Sequence, residues 1–80
     1  MPNIDFVNGV KMNVYANDHV PPHIHALYGE YEALIDIQII CSIKGYLPKK
    51  QLAIALDFVQ QNQQALLNIF YQLNPTIQKS

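Results

Sequence analysis

Two hydrophobic rhythms divide the chain. Through its first half apolar side chains recur at every second position, and from Leu47 onward they recur at helical spacing. Asn8-Gly9 is one of the strongest two-residue hairpin signals, so the short apolar-leaning run Asn3–Val7 is expected to turn there into a strand. In that strand Val10, Met12 and Val14 point one way, while Lys11, Asn13 and Tyr15 point the other. Ala16-Asn17-Asp18 breaks the alternation, and Pro21-Pro22 makes a rigid, extended entry into the next segment.

A second hairpin centres on Gly29-Glu30, a two-residue loop with glycine first, which suits the twist of a sheet. That loop sets a register in which Tyr28 faces Tyr31, Ala26 faces Ala33, Ile24 faces Ile35 and His23 faces Asp36. One face then collects Ile24, Ala26, Tyr28, Tyr31, Ala33, Ile35 and Ile37. The other collects His23, His25, Leu27, Glu32, Leu34 and Asp36. A slip of one residue would mix the two sets, so the pattern specifies the register. Ile39–Ile43 continues the β signal, and Gly45 is expected to turn the chain.

Pro48 suits the first turn of a helix. Leu52, Leu56, Val59, Leu66, Phe70 and Leu73 keep helical spacing until Asn74-Pro75 stops it, and Asn62 offers a cap in the middle. The predicted fold is α+β in one domain, residues 1–80. A small antiparallel sheet of about four strands is covered on one face by a C-terminal helix, kinked or split near Asn62. If the helix were continuous, its apolar residues would span an arc of roughly 220° on a wheel, wider than the stripe of about 100° that one sheet needs. That excess predicts a second burial surface, a homodimer or a small protein partner, although a sheet curling around the helix would also use it.

Composition narrows the class. Of 80 residues, 50% are apolar and 14% charged, which favours a globular domain over disorder. A chain this short buries only about 60% of the surface it exposes when unfolded, so burial against a partner would add to stability. The formal net charge is −1 with no arginine, which argues against nucleic acid as the principal ligand. The single cysteine, Cys41, excludes an internal disulfide and suits a reducing compartment. Without a basic leader or a run of roughly 18 apolar residues, neither a signal peptide nor a membrane span is expected, and the default location is the cytoplasm.

The chemistry concentrates in Asp18-His19-Val20-Pro21-Pro22-His23-Ile24-His25, which holds all three histidines of the chain. His23 and His25, two apart on a strand, share a side of the sheet. With Asp36 or Asp18 as an oxygen ligand they could hold a divalent metal, the cofactor candidate for this chain, and leave open coordination positions. The same His23, His25 and Asp36 are the catalytic candidates for acid–base hydrolysis without metal, as in small ribonucleases. In that case Lys11, Lys49 or Lys50 would neutralise phosphate, and Tyr15 or Tyr28 would stack on a base. Asp18 and His19 join Lys11, Tyr15, Lys49 and Lys50 as candidate binding residues. A plainer reading gives Asp18 an Asx turn, makes His19 a donor to a carbonyl and makes His23–Asp36 an ordinary cross-strand pair. Lys49 and Lys50 would then be a solvated first turn, although cations at that end of a helix dipole lean slightly towards an anion-binding role.

The string Asp18-His19-x-Pro21-Pro22-His23-x-His25, with the Tyr28-Gly29 turn, resembles a family of small prokaryotic proteins known as domain of unknown function 4160. The likeness runs from Met1-Pro2-Asn3-Ile4 to the helix opening Leu47-Pro48-Lys49-Lys50. Lysines stand where relatives often carry arginine, and Phe58 and Phe70 stand in a helix where relatives commonly place tryptophan. The resemblance implies a small α+β domain, often encoded beside another small protein in the manner of a toxin–antitoxin module, with no established activity. The leading expectation is therefore a cytoplasmic component of such a module, working through a protein partner and, secondarily, through nucleic acid at the histidine face. A metal-dependent or acid–base hydrolase or nuclease and a structural dimerisation module are the alternatives.

Overall fold

The computed structural model describes residues 3–16, 18 and 20–75. Five strands, β1 (Asn3–Val7), β2 (Val10–Asn13), β3 (His23–Tyr28), β4 (Tyr31–Asp36) and β5 (Cys41–Tyr46), form one antiparallel sheet in chain order. Two helices follow, α1 (Lys49–Gln61) and α2 (Gln63–Leu73). The α+β class is as the sequence predicts, with one strand more than expected.

Both hairpin turns follow from their residues. Asn8 and Gly9 each take positive φ, 49° and 85°, the combination a type I′ turn demands. Gly29 supplies the positive φ of 58° at the first loop position between β3 and β4. The observed β3–β4 register is the predicted one, from Tyr28↔Tyr31 to His23↔Asp36.

The fifth strand is where expectation and structure part. Residues 37–40 form the turn, with Ile40 at φ 55°, and β5 starts at Cys41 rather than ending near Ile43. Gly45 does not turn the chain; it sits inside β5 opposite Ala33, at φ 84°. The β4–β5 register shifts between Leu34 and Ile35, so this edge strand carries a bulge beside its glycine. Strong β propensity across Ile39–Ile43 hid the turn, because Asp36 supplies the capping that a sequence scan credits to glycine.

The core lies between the sheet and the helices. Val10, Met12, Val14, Ile24, Ala26, Ala33, Ile35 and Ile37 meet Ala55 and Val59 of α1 and Leu66 and Phe70 of α2. Alternation in the strands and spacing in the helices place all of these on facing surfaces. At Asn62 the helical layer divides into α1 and α2. Asn62 N–H reaches the Phe58 and Val59 carbonyls, and its own carbonyl accepts from Leu66 N at 2.9 Å. The side chain of the next residue, Gln63, donates to the carbonyls of Ile37 and Gln38, tying α2 to the β4–β5 turn.

The wide apolar arc is divided between the two helices. Leu52, Ile54, Leu56, Phe58, Leu67, Ile69, Tyr71 and Leu73 are half-buried against the core, because each helix presents its own stripe. Among the described residues the large apolar side chains left exposed are Phe6, Val20, Tyr31, Ile39, Ile43 and Tyr46, all outside the helices. The register aligns Phe6, Lys11, Leu27, Glu32 and Tyr46 in one row across all five strands, on the face the helices do not cover. Among the described residues no helix is long and apolar enough to cross a membrane.

Candidate metal centre

The two prolines bring one carboxylate to two histidines. Pro22 is buried, and its carbonyl accepts from Ile37 N at 3.0 Å, so the entry to β3 is pinned to the far end of β4. The preceding segment is pinned by Asn74, directly after α2. Asn74 Oδ1 accepts from Asp18 N at 2.6 Å, and its Nδ2 donates to the carbonyls of Tyr15 (3.0 Å) and Phe70 (2.9 Å). Held at both ends, the segment folds the Asp18 side chain over the start of β3.

Asp18 Oδ2 lies 2.9 Å from His23 Nε2 and 3.2 Å from His25 Nε2. The remaining ring nitrogens face outward to acceptors: His23 Nδ1 is 2.7 Å from the Pro21 carbonyl, and His25 Nδ1 is 2.9 Å from Glu32 Oε2. The two imidazole centroids are 5.1 Å apart. Tyr15 presents its ring edge-on to His25 at 4.4 Å, and its hydroxyl accepts from Asn13 Nδ2. Phe70 closes the other side, 5.8 Å from the His23 ring.

Asp18, His23 and His25 are thus a group of side chains that could hold a metal ion, with ligand atoms within 4.8 Å of one another. The carboxylate that reaches the histidines is Asp18 and not Asp36. Asp36 does pair with His23 across the strands, but its Oδ1 accepts from the N–H groups of Gln38 (2.7 Å) and Ile39 (3.0 Å). It caps the β4–β5 turn, and that work turns the oxygen away from the cluster.

A second correction concerns exposure. Alternation alone puts His23 on the open face, yet its side chain is only 3% exposed, against 16% for His25 and 14% for Asp18. His23 is the first residue of its strand, and the Phe70 ring of α2 packs against its ring at 5.8 Å. Tyr15 joins the site as a wall. Lys11 stands on the open face between Phe6 and Leu27, outside the cluster. Lys49 and Lys50 are exposed in the first turn of α1, in the layer on the other face. His19 lies outside the described residues. The sequence places Glu32 on the histidine face without a role in the site, and gives Asn74 none either. The predicted register, which puts His25 and Glu32 on one face within a diagonal step, could have found the first. The second reads in the sequence only as a helix stop.

A protein-family profile, described as Domain of unknown function (DUF4160), matches residues 9–70. No curated protein and no solved structure matches the chain. The matched span contains the whole Asp18–His25 segment, all but the first strand of the sheet, and both helices as far as Phe70.

Proposed function

We propose, from the premise that the chain belongs to the family described as Domain of unknown function (DUF4160), that it acts as one component of a two-protein module resembling toxin–antitoxin pairs. Its work is to bind a protein partner on the uncovered face of the sheet, in the cytoplasm of a prokaryote. One observation carries this reading: the exposed large apolar side chains gather on the sheet and its loops, with Phe6 at 62% and Tyr46 at 63% ending the row that crosses all five strands. A sheet face with aromatic ends and a Lys11–Leu27–Glu32 centre suits a mixed apolar and polar protein surface. Nucleic acid is less favoured, because Glu32 stands among the lysines of that face and the chain has no arginine.

The face, and not the edge, is the docking surface. All of β5 is exposed, but its bulge, Lys44 and Gly45 blunt the edge against pairing with another strand. Co-expression with the product of the neighbouring gene tests the proposal. A complex that survives purification and is lost in the double variant Phe6→Lys, Tyr46→Lys supports it. The absence of a complex, together with no effect of either gene on growth, refutes it; self-association through the same face would instead support the dimerisation module.

The convergence of Asp18, His23 and His25 favours a second reading, a hydrolase or nuclease using those residues. Burial of His23 and the Tyr15 wall leave only the Asp18–His25 side accessible, which suits a small substrate better than a polymer. Turnover of a small phosphodiester or ester that disappears in His25→Ala would establish it.

A further inference from the structure

The tautomers of the two histidines are dictated by their outer partners. A backbone carbonyl can only accept, so His23 Nδ1, 2.7 Å from the Pro21 carbonyl, carries a hydrogen. An ionised carboxylate also only accepts, so His25 Nδ1 carries one towards Glu32. In the neutral rings both Nε2 atoms are then lone pairs, and both are aimed at the same carboxylate oxygen of Asp18, at 2.9 and 3.2 Å. Three such atoms converging on one point, with ligand atoms within 4.8 Å of one another, form a donor set for a cation.

A single divalent cation would supply positive charge to all three atoms from one point, between rings whose centroids stand 5.1 Å apart. We propose that Asp18 Oδ2, His23 Nε2 and His25 Nε2 bind one divalent cation of the zinc class. Two imidazole nitrogens and one carboxylate oxygen are the donor set of zinc and its transition-metal neighbours, whereas magnesium and calcium take oxygen. With bonds of about 2.0–2.2 Å, tetrahedral ligands stand about 3.4 Å apart; the Asp18–His25 spacing of 3.2 Å is close to that, and the Asp18–His23 spacing of 2.9 Å has to widen by about half an ångström.

The outer contacts are those a bound metal uses. Metal-ligating histidines give their second N–H to a carboxylate or a backbone carbonyl, which fixes the ring and strengthens the donor. His25 has the first kind of partner in Glu32, and His23 has the second in the Pro21 carbonyl. Three protein ligands leave a fourth position on the side where Asp18 and His25 retain their exposure. The proposal shares Glu32 with the docking row but none of that row's aromatic ends, and it holds whether or not Phe6 and Tyr46 meet another protein.

The test is a titration of chelator-treated protein with ZnCl2 by calorimetry, with CoCl2 as the spectroscopic probe and MgCl2 as competitor. One Zn2+ per chain is expected, unaffected by Mg2+, with the thermal midpoint raised by roughly 10–20 °C at a hundredfold excess over Kd. His25→Ala and Asp18→Asn should lose binding, Glu32→Gln should weaken it about 10- to 100-fold with stoichiometry kept, and Cys41→Ser should leave it unchanged. The wild-type cobalt complex should show two contact-shifted, exchangeable ring N–H signals, a readout that needs no variant to fold. Absence of stoichiometric Zn2+, dependence on Cys41, or fewer than two such signals would overturn the proposal.

Discussion

Asn74→Ala is the substitution that best separates a locked site from a loose one. The side chain is almost fully buried, at 3% exposure, and makes three hydrogen bonds: from Asp18 N to Oδ1, and from Nδ2 to the carbonyls of Tyr15 and Phe70. The Phe70 carbonyl keeps a second partner, the Asn74 backbone N–H at 3.0 Å, so it is not orphaned by the change. Asp18 N–H and the Tyr15 carbonyl each lose the bond that Asn74 gave them. At about 1 kcal/mol for each bond, and more for a group left buried and unsatisfied, the expected cost is about 3 kcal/mol. A domain of this length has total stability of about 4–12 kcal/mol, so that is a large share of it.

Urea unfolding should therefore show a lower midpoint at unchanged slope, and the thermal midpoint should fall by roughly 12–24 °C. Asn74→Asp keeps the acceptor for Asp18 N–H but turns a second oxygen on two carbonyls, so it should destabilise at least as much at neutral pH. Because Asn74 touches the Asp18 backbone and neither histidine, Zn2+ affinity should fall in both variants while the stoichiometry stays at one. A loss below about 1 kcal/mol, with Zn2+ binding unaltered, would refute the claim that α2 holds the segment in place.

Three further outcomes follow from the same geometry. Gly45→Ala should destabilise by roughly 2 kcal/mol or more, since the new Cβ would run into the Glu32 carbonyl oxygen at a positive φ, whereas Gly29→Ala, with open space around it, should cost only about 1 kcal/mol of backbone strain; denaturant melts of the pair should keep that order. Asp36→Ala should cost about 1–3 kcal/mol through loss of the two turn N–H bonds but leave Zn2+ stoichiometry and affinity intact, as calorimetry would report. Tyr46→Lys should cost about 0.5–1.5 kcal/mol, the worth of its edge-on ring contact with Tyr31, because the side chain is otherwise exposed, while weakening any complex formed on the sheet face in a pull-down.

What the sequence made legible was what local rules decide. The Asn8-Gly9 and Gly29-Glu30 turns, the β3–β4 register and the stop at Asn74-Pro75 each depend on residues within a few positions, so turn chemistry and alternation suffice for them. The β4–β5 turn escapes those rules for the opposite reason: its cap is a carboxylate inside the preceding strand, and the glycine lies within β5, opposite Ala33, eight residues beyond the start of the turn. The site divides the same way. His-x-His on one strand declares a shared side, but which carboxylate joins it depends on contacts 56 and 59 residues apart in sequence, those of Asn74 with Asp18 and Tyr15. No periodicity carries such information. It follows that the site is assembled only when α2 docks, because Phe70 shuts the His23 side and Asn74 positions Asp18 in the same step. Binding at the site is therefore coupled to burial of the last helix, and a cation held there stabilises the α2–sheet contact as directly as it does its own ligands.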